Sequence, residues 1–219
     1  NSNGFASSYV STVVFSVGGF AAGEGTNLFQ DCWFEGGTTL GKLPHPEVLA
    51  KTAAGRVTRL IGARKVPTQN VPVVVEPSVA SGLLLGLFAG CINGPSIAQR
   101  RSFLVYKLGE KIASDLVTIV DDGLMPGGFG TAPFDSEGVP SRKNLVVDKG
   151  VLKTYLLDTY HSRKLKMAPT GNADGTTNFF LAAGTSTPEQ IVKSVDNGLL
   201  LTGTIGLGTD ATTGDISMG

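Results

Sequence analysis

The chain has 219 residues, enough for one large domain or two small ones around a substantial core. Its 18 Lys and Arg offset 18 Asp and Glu, so net charge gives no reason to expect nucleic acid, an anionic membrane or a strongly charged substrate. Glycine is plentiful at 30 residues and charged residues make up only 16%, against typical shares of ~7% and ~25%. Many glycines predict turns and close backbone approaches. Few charges predict surface that further chain or a partner subunit covers. Cys32 and Cys91 are too few for a disulfide framework and read as reduced thiols of a cytoplasmic protein. No apolar run reaches the ~18 residues of a membrane span. The richest, Val79 to Ile92, is short and interrupted by glycine.

In chain order, Tyr9–Ala22 is rich in Val, Phe, Ser and Thr and reads as a strand, with Leu28–Glu35 as its hairpin partner across a turn at Gly23–Thr26. Pro46–Ile61 reads as a helix, with Leu49, Ala53, Val57, Leu60 and Ile61 on one face. Val71–Glu76 is a short strand, and Ser78 is positioned to cap a helix running to Ile92. Leu116–Val120 is β-branched enough for a strand. Asn144–Asp148 and Val151–Leu157 flank a D-x-G turn and predict a second hairpin. Thr187, Pro188 and Gln190 form the N-terminal signature of a helix ending at Asn197-Gly198, and Leu199–Ile205 follows as a strand. Strands interrupted by about three helices, without strict βα alternation, predict an α+β domain with a mainly antiparallel sheet.

Few constellations carry recognisable chemistry. Gly82, Gly86 and Gly90 fall four apart on the second helix. Each costs roughly 1 kcal/mol relative to alanine, so that face either lies tight against a strand or meets a partner. His45, between two prolines, reads as a surface histidine. His161 has Asp158 three residues before it and Arg163 two after, a pattern most often of a solvated pair. Asp135 and Glu137 flank Ser136 ahead of Gly138; such carboxylates can do acid–base work, hold a cation or simply order a turn. Thr170-Gly171-Asn172 can present donors to an extended peptide, or close an Asx turn. Gly206 to Ala211 matches G-x-G-x-x-A without the helix a dinucleotide loop requires.

Taken together, the stretch Phe134–Ala173, with its acidic-glycine loop, the Arg142-Lys143 pair, the D-x-G turn and the T-G-N element, resembles the PmbA/TldD family, known as modulators of DNA gyrase and as metallopeptidase relatives. Ser102–Gly123, the opening Asn1–Gly4 and Thr213–Gly219 extend the resemblance over essentially the whole chain. It implies a C-terminal domain spanning 1–219, with an N-terminal domain before it and further strands after it. In the family's TldD-type subunit a zinc-binding H-E-x-x-x-H precedes the segment matching Ser102–Gly109, its histidines binding metal and its glutamate acting as base. Those positions fall here on Leu85, Gly86 and Gly90, none of which can bind zinc.

The resemblance therefore implies a PmbA (TldE) type subunit that holds no cofactor. It would close a cleft around unfolded peptides while a TldD-type partner supplies the zinc. Its peptide or interface residues would come from Asp135, Glu137, Gly138, Arg163, Thr170, Gly171 and Asn172, and from Gly82, Gly86 and Gly90. Two other readings stay open: a metallopeptidase with a rearranged site whose ligands come from Asp135, Glu137, His161 or residues beyond Gly219, and a homodimeric peptide-binding or regulatory module.

Overall fold

Apolar residues alternate on both sides of a glycine-containing turn and build a long hairpin. In the computed structural model, which describes residues 2–218, β1 (Val14–Glu24) pairs antiparallel with β2 (Asn27–Gly37). The strand predicted from Tyr9 begins only at Val14, because its partner is exhausted at the Val14–Gly37 pair. Behind the hairpin lies α1 (Pro46–Thr58), capped by His45, whose Nδ1 accepts the Glu47 N–H, and started by Pro46. It buries Leu49, Ala53 and Val57 against one hairpin face. The approach is close: a Cβ on Gly18 would lie 2.6 Å from Leu49 Cδ2. Asp31 pairs with Arg56 at 3.1 Å, and that guanidinium stacks 4.8 Å from the Trp33 ring centre. The helix stops three residues before Ile61. Leu60 and Ile61 donate to carbonyls only three residues back, Gly62 turns the chain away at φ +79°, and Ile61 is exposed. The hairpin and α1 belong to one compact unit, Ser8–Gln69 with Gly127–Phe129; the rest of the described chain forms a second. Asn1 and Gly219, the outer ends of the N-S-N-G and T-G-D-I-S-M-G segments, lie outside the described residues.

The second unit opens with β3 (Val73–Val75) and a helical run in three parts: α2 (Pro77–Leu83), a π-helical turn (Leu84–Phe88) and α3 (Ala89–Ile92). Ser78 does not cap it. Glu76 holds the N-cap position with Pro77 in the first turn, and the Ser78 hydroxyl donates instead to Glu76 Oε2. A short α4 (Gly94–Ala98), not anticipated from sequence, follows directly. Next come β4 (Ile119–Asp122), β5 (Lys143–Asp148), β6 (Val151–Leu152), α5 (Thr159–Leu165) and β7 (Phe179–Leu181). The four strands form one antiparallel sheet in the order β6-β5-β4-β7. The β5–β6 turn is the predicted D-x-G, with Lys149 and Gly150 both at positive φ. The strand after it is shorter than expected, since Leu156 and Leu157 bond away from the sheet, to Ile92 and Thr170.

The chain ends with α6 (Pro188–Lys193), β8 (Leu199–Leu201), and the hairpin of β9 (Leu207–Asp210) and β10 (Asp215–Met218). Thr187 and Gln190 form the full capping box, but α6 stops well before Gly198. There the chain must leave the helix to bring β8 beside β3, a parallel pair. The glycines at 206 and 208 serve the β9–β10 hairpin, not a phosphate loop. The architecture is α+β, and the core of this unit gathers Cys91, Ile92, Leu104, Val146, Val147, Leu152 and Leu157, each at most 1% exposed.

Candidate functional site

The π turn decides what the helical run presents. Its closing bond runs from the Ala89 N–H to the Leu84 carbonyl, five residues back, so one turn absorbs an extra residue and positions five apart align. Leu85 and Gly90 are such a pair. Asn93 ends the run with two bonds at once: Nδ2 donates to the Gly90 carbonyl at 3.0 Å, and Oδ1 accepts the Ser96 N–H at 2.8 Å. One side chain thus satisfies the end of α3 and the start of α4.

Beside this junction is a cavity of about 440 Å³ walled by Gly90, Asn93, Asp158, Asn172, Asp174 and Thr176 among others. Its volume falls within the range of ligand pockets. Two carboxylates face it, and no lysine, arginine or histidine lines it among the described residues.

The loops beneath the cavity are held by a buried polar network. Asp121, wholly buried on β4, accepts the Asn172 side-chain N–H at 2.6 Å and the Thr177 backbone N–H at 2.7 Å. Asn172 Oδ1 in turn accepts from Asn144 on β5, whose amide also donates to the Thr170 carbonyl. The Thr170 hydroxyl accepts the Leu157 N–H at 2.7 Å. Gly171 holds φ +76°, and a Cβ there would sit 2.8 Å from the Pro140 oxygen, so the turn requires glycine.

The acidic loop is bound in the same manner. Asp135, 7% exposed, accepts the Glu137 and Val139 N–H groups on one oxygen and the Ala173 N–H on the other. Glu137 accepts the Thr159 N–H at 2.7 Å, at the start of α5. Gly138 takes φ +82° against the Phe5 ring.

Asp158 caps α5 through the His161 N–H and reaches the His161 ring, Oδ2 to Nδ1, at 2.7 Å. Burial pushes the Asp158 carboxyl pKa up. The His161 N–H, its ring and its charge, with the Tyr160 N–H, outweigh that, so the net shift is downward. The ring is locked from the other side: a Cβ on Gly94 would lie 2.6 Å from His161 Cβ. Cys91 is fully buried, and desolvation raises its thiol pKa, so it packs as an apolar side chain; Cys32 is exposed.

The residues singled out from sequence fall into three groups. Gly90 and Asn172 line the cavity. Asp135, Glu137, Gly138, Thr170 and Gly171 shape the loops around it through the bonds above. Arg163 is exposed in the last turn of α5, outside the cavity wall, where its charge complements the helix end. Gly82 and Gly86 are exposed as well. The glycine stripe does not lie tight against a strand: nothing comes within 4 Å of a Cβ placed on Gly82 or Gly90. Sequence reasoning missed Asp121, Asn93, Asn144 and Asp174. The adjacent acids of Asp121-Asp122-Gly123 in a β-branched run were the one local signal, an acidic pair where a core strand belongs.

Zinc does not fit this chain's helix. Leu85, Gly86 and Gly90 offer no donor atom, and no group of three or more His, Cys, Asp or Glu is placed to hold a metal among the described residues. No helix among them is long and apolar enough to cross a membrane.

This α+β sheet domain with its helix-walled cavity is of a metallopeptidase-related class: residues 68–219 match the PmbA/TldA metallopeptidase C-terminal domain. The chain belongs to the PmbA/TldD family. It is 33% identical over its full length to the metalloprotease PmbA of Escherichia coli O157:H7, covering 48% of that protein. A crystal structure from Bacteroides thetaiotaomicron, described as a proposed modulator of DNA gyrase, superposes with a TM-score of 0.91 at 32% identity, over 99% of this chain and 49% of that one. TldE from Thermococcus kodakarensis shares the fold, with a TM-score of 0.81 at 24% identity over 94% of this chain and 49% of that one. The chain therefore spans about half the length of the relatives it matches.

Proposed function

We propose that this chain is the PmbA/TldE-like, non-catalytic subunit of a TldD/TldE-type zinc metalloprotease system acting on cytoplasmic peptides. Its cavity and loops form part of the wall around an unfolded peptide, and a TldD-type subunit supplies the metal and the chemistry. The observation that carries this is the donor-free face of Leu85, Gly86 and Gly90 on the helical run beside the cavity. The open space over Gly82 and Gly90 favours contact with another chain on that face over packing within this one. The balanced charge supports a peptide ligand over nucleic acid.

The rival in which Asp135, Glu137 and His161 hold a metal draws no support from the site. The two loop carboxylates already accept backbone N–H groups, and His161 is turned onto Asp158.

Elemental analysis and a cleavage assay on the full-length protein test the proposal. The expected result is no bound zinc and no peptide cleavage alone, with cleavage appearing on addition of a TldD-type subunit. Stoichiometric zinc with cleavage by the protein alone would overturn it.

A further inference from the structure

The wall of the cavity has committed its donors and kept its acceptors. Asn93 Nδ2 is held by the Gly90 carbonyl, and Asn172 Nδ2 by Asp121 and the Gly175 carbonyl. The backbone follows suit. The N–H groups of Gly94, Leu156, Ala173 and Gly175 donate to Leu156, Ile92, Asp135 and Asn172 in turn. No lysine, arginine or histidine lines the cavity among the described residues, so little is left there to hold an anion.

What remains is negative. Asp174 accepts the Ser136 N–H on Oδ2, and its Oδ1 meets no donor among the described residues. Asp158 directs Oδ1 to the His161 N–H and Oδ2 to the His161 ring. The Thr176 hydroxyl adds a further acceptor to the same wall, and Ala89, Pro95 and Leu156 supply its apolar part. Two carboxylates sharing one cavity repel each other, and a cation seated there relieves the repulsion.

We propose that the cavity takes a basic side chain of the peptide, lysine or arginine, with Asp174 as the specificity-determining residue that receives its charged head. The apolar part of the wall suits the aliphatic stem, while the head reaches the carboxylates. A metal ion fits less well, since no group of three or more His, Cys, Asp or Glu is placed to hold one among the described residues. A peptide's own amino terminus carries the same charge but no stem. This substrate preference rests on the peptide reading above, and binding to the protein alone tests it apart from cleavage.

Titration calorimetry of the full-length protein with short unfolded peptides of one sequence makes the test. One is N-acetylated with a central lysine, one is N-acetylated with norleucine in its place, and one carries the norleucine with a free amino terminus. The lysine peptide should bind about tenfold more tightly than its acetylated norleucine counterpart. Asp174→Asn, which keeps an oxygen for the Ser136 N–H, should erase that preference. Asp115→Asn, which removes the same charge outside the cavity, should retain it.

Equal binding of the two acetylated peptides, binding of neither, or a preference indifferent to Asp174→Asn overturns the proposal. A gain on freeing the amino terminus in place of the lysine overturns it too, and assigns the charge to the chain end. If the lysine preference holds but a TldD-type subunit brings no cleavage, the protease reading fails and this one stands.

Discussion

Around Asp121 the strong polar groups are turned inward and matched, whereas across the hairpin from α1 the large apolar side chains are turned outward and left in water. In the first region a buried carboxylate, two asparagine amides and three loops use their hydrogen-bonding capacity on one another. Such a network specifies one arrangement, and losing one member strands the others. In the second, Phe15, Val17 and Phe34 contribute little to the fold that holds them. The polar order of the chain and its exposed apolar surface therefore sit in different places, and substitutions should separate them.

The largest effect is expected at Asp121. Asp121→Ala leaves the Asn172 amide and the Thr177 N–H buried without their acceptor. It should cost about 2–5 kcal/mol and lower Tm by roughly 10 °C, read by calorimetry on the full-length protein. A loss below 1 kcal/mol would mean that water replaces the carboxylate and that the network is looser than its distances imply.

Gly94→Ala comes next. The new methyl must displace His161, at about 1–3 kcal/mol, and the imidazole NMR signals should shift with it.

Acid should expose the Asp158 contact. Its carboxyl pKa is held below the usual range in the folded chain, so protonation favours unfolding. The contribution is complete above about pH 4, the unfolded value, and fades as pH falls through the folded one. Asp158→Asn should flatten that acid limb of the stability curve; an unchanged limb would assign it to other carboxylates.

The smallest effect belongs to the open face. Phe34→Ser, at a side chain 64% exposed, should change unfolding free energy by no more than about 0.5 kcal/mol, and a larger loss would show that the hairpin face is covered in the full-length protein.

Local chemistry made some elements legible in sequence and hid others. The capping box of Thr187 and Gln190, the D-x-G turn at Lys149-Gly150 and the face of Leu49, Ala53 and Val57 depend on residues a few positions apart, and all are present. The end of α6 was not legible, because it answers to the parallel pairing of Leu199–Leu201 with Val73–Val75, more than a hundred residues away. The cavity was legible only in part. Gly90 and Asn172 stood out, but the roles of Asp121 and Asn93 depend on partners brought by the fold and on caps at a junction between helices. The T-G-N turn looked able to offer its amide outward; the buried side chain of Asn144 draws that amide in.

The π turn at Leu84–Phe88 also affects how this chain is compared with its relatives. A turn closed over five residues holds one residue more than its α-helical counterpart, so a relative with a regular helix here would be one residue shorter between Ala80 and Cys91 while presenting the same buried face. A gap opened inside Leu84–Phe88 would keep both Pro77–Leu83 and Ala89–Ile92 in register with their counterparts; one opened in the loop before Pro77 would shift the first, and one opened after Ile92 would shift Cys91 and Ile92. By the same logic a single deletion within the turn should be absorbed by regularising the helix, whereas one within Ala89–Ile92 would rotate the core residues out of place.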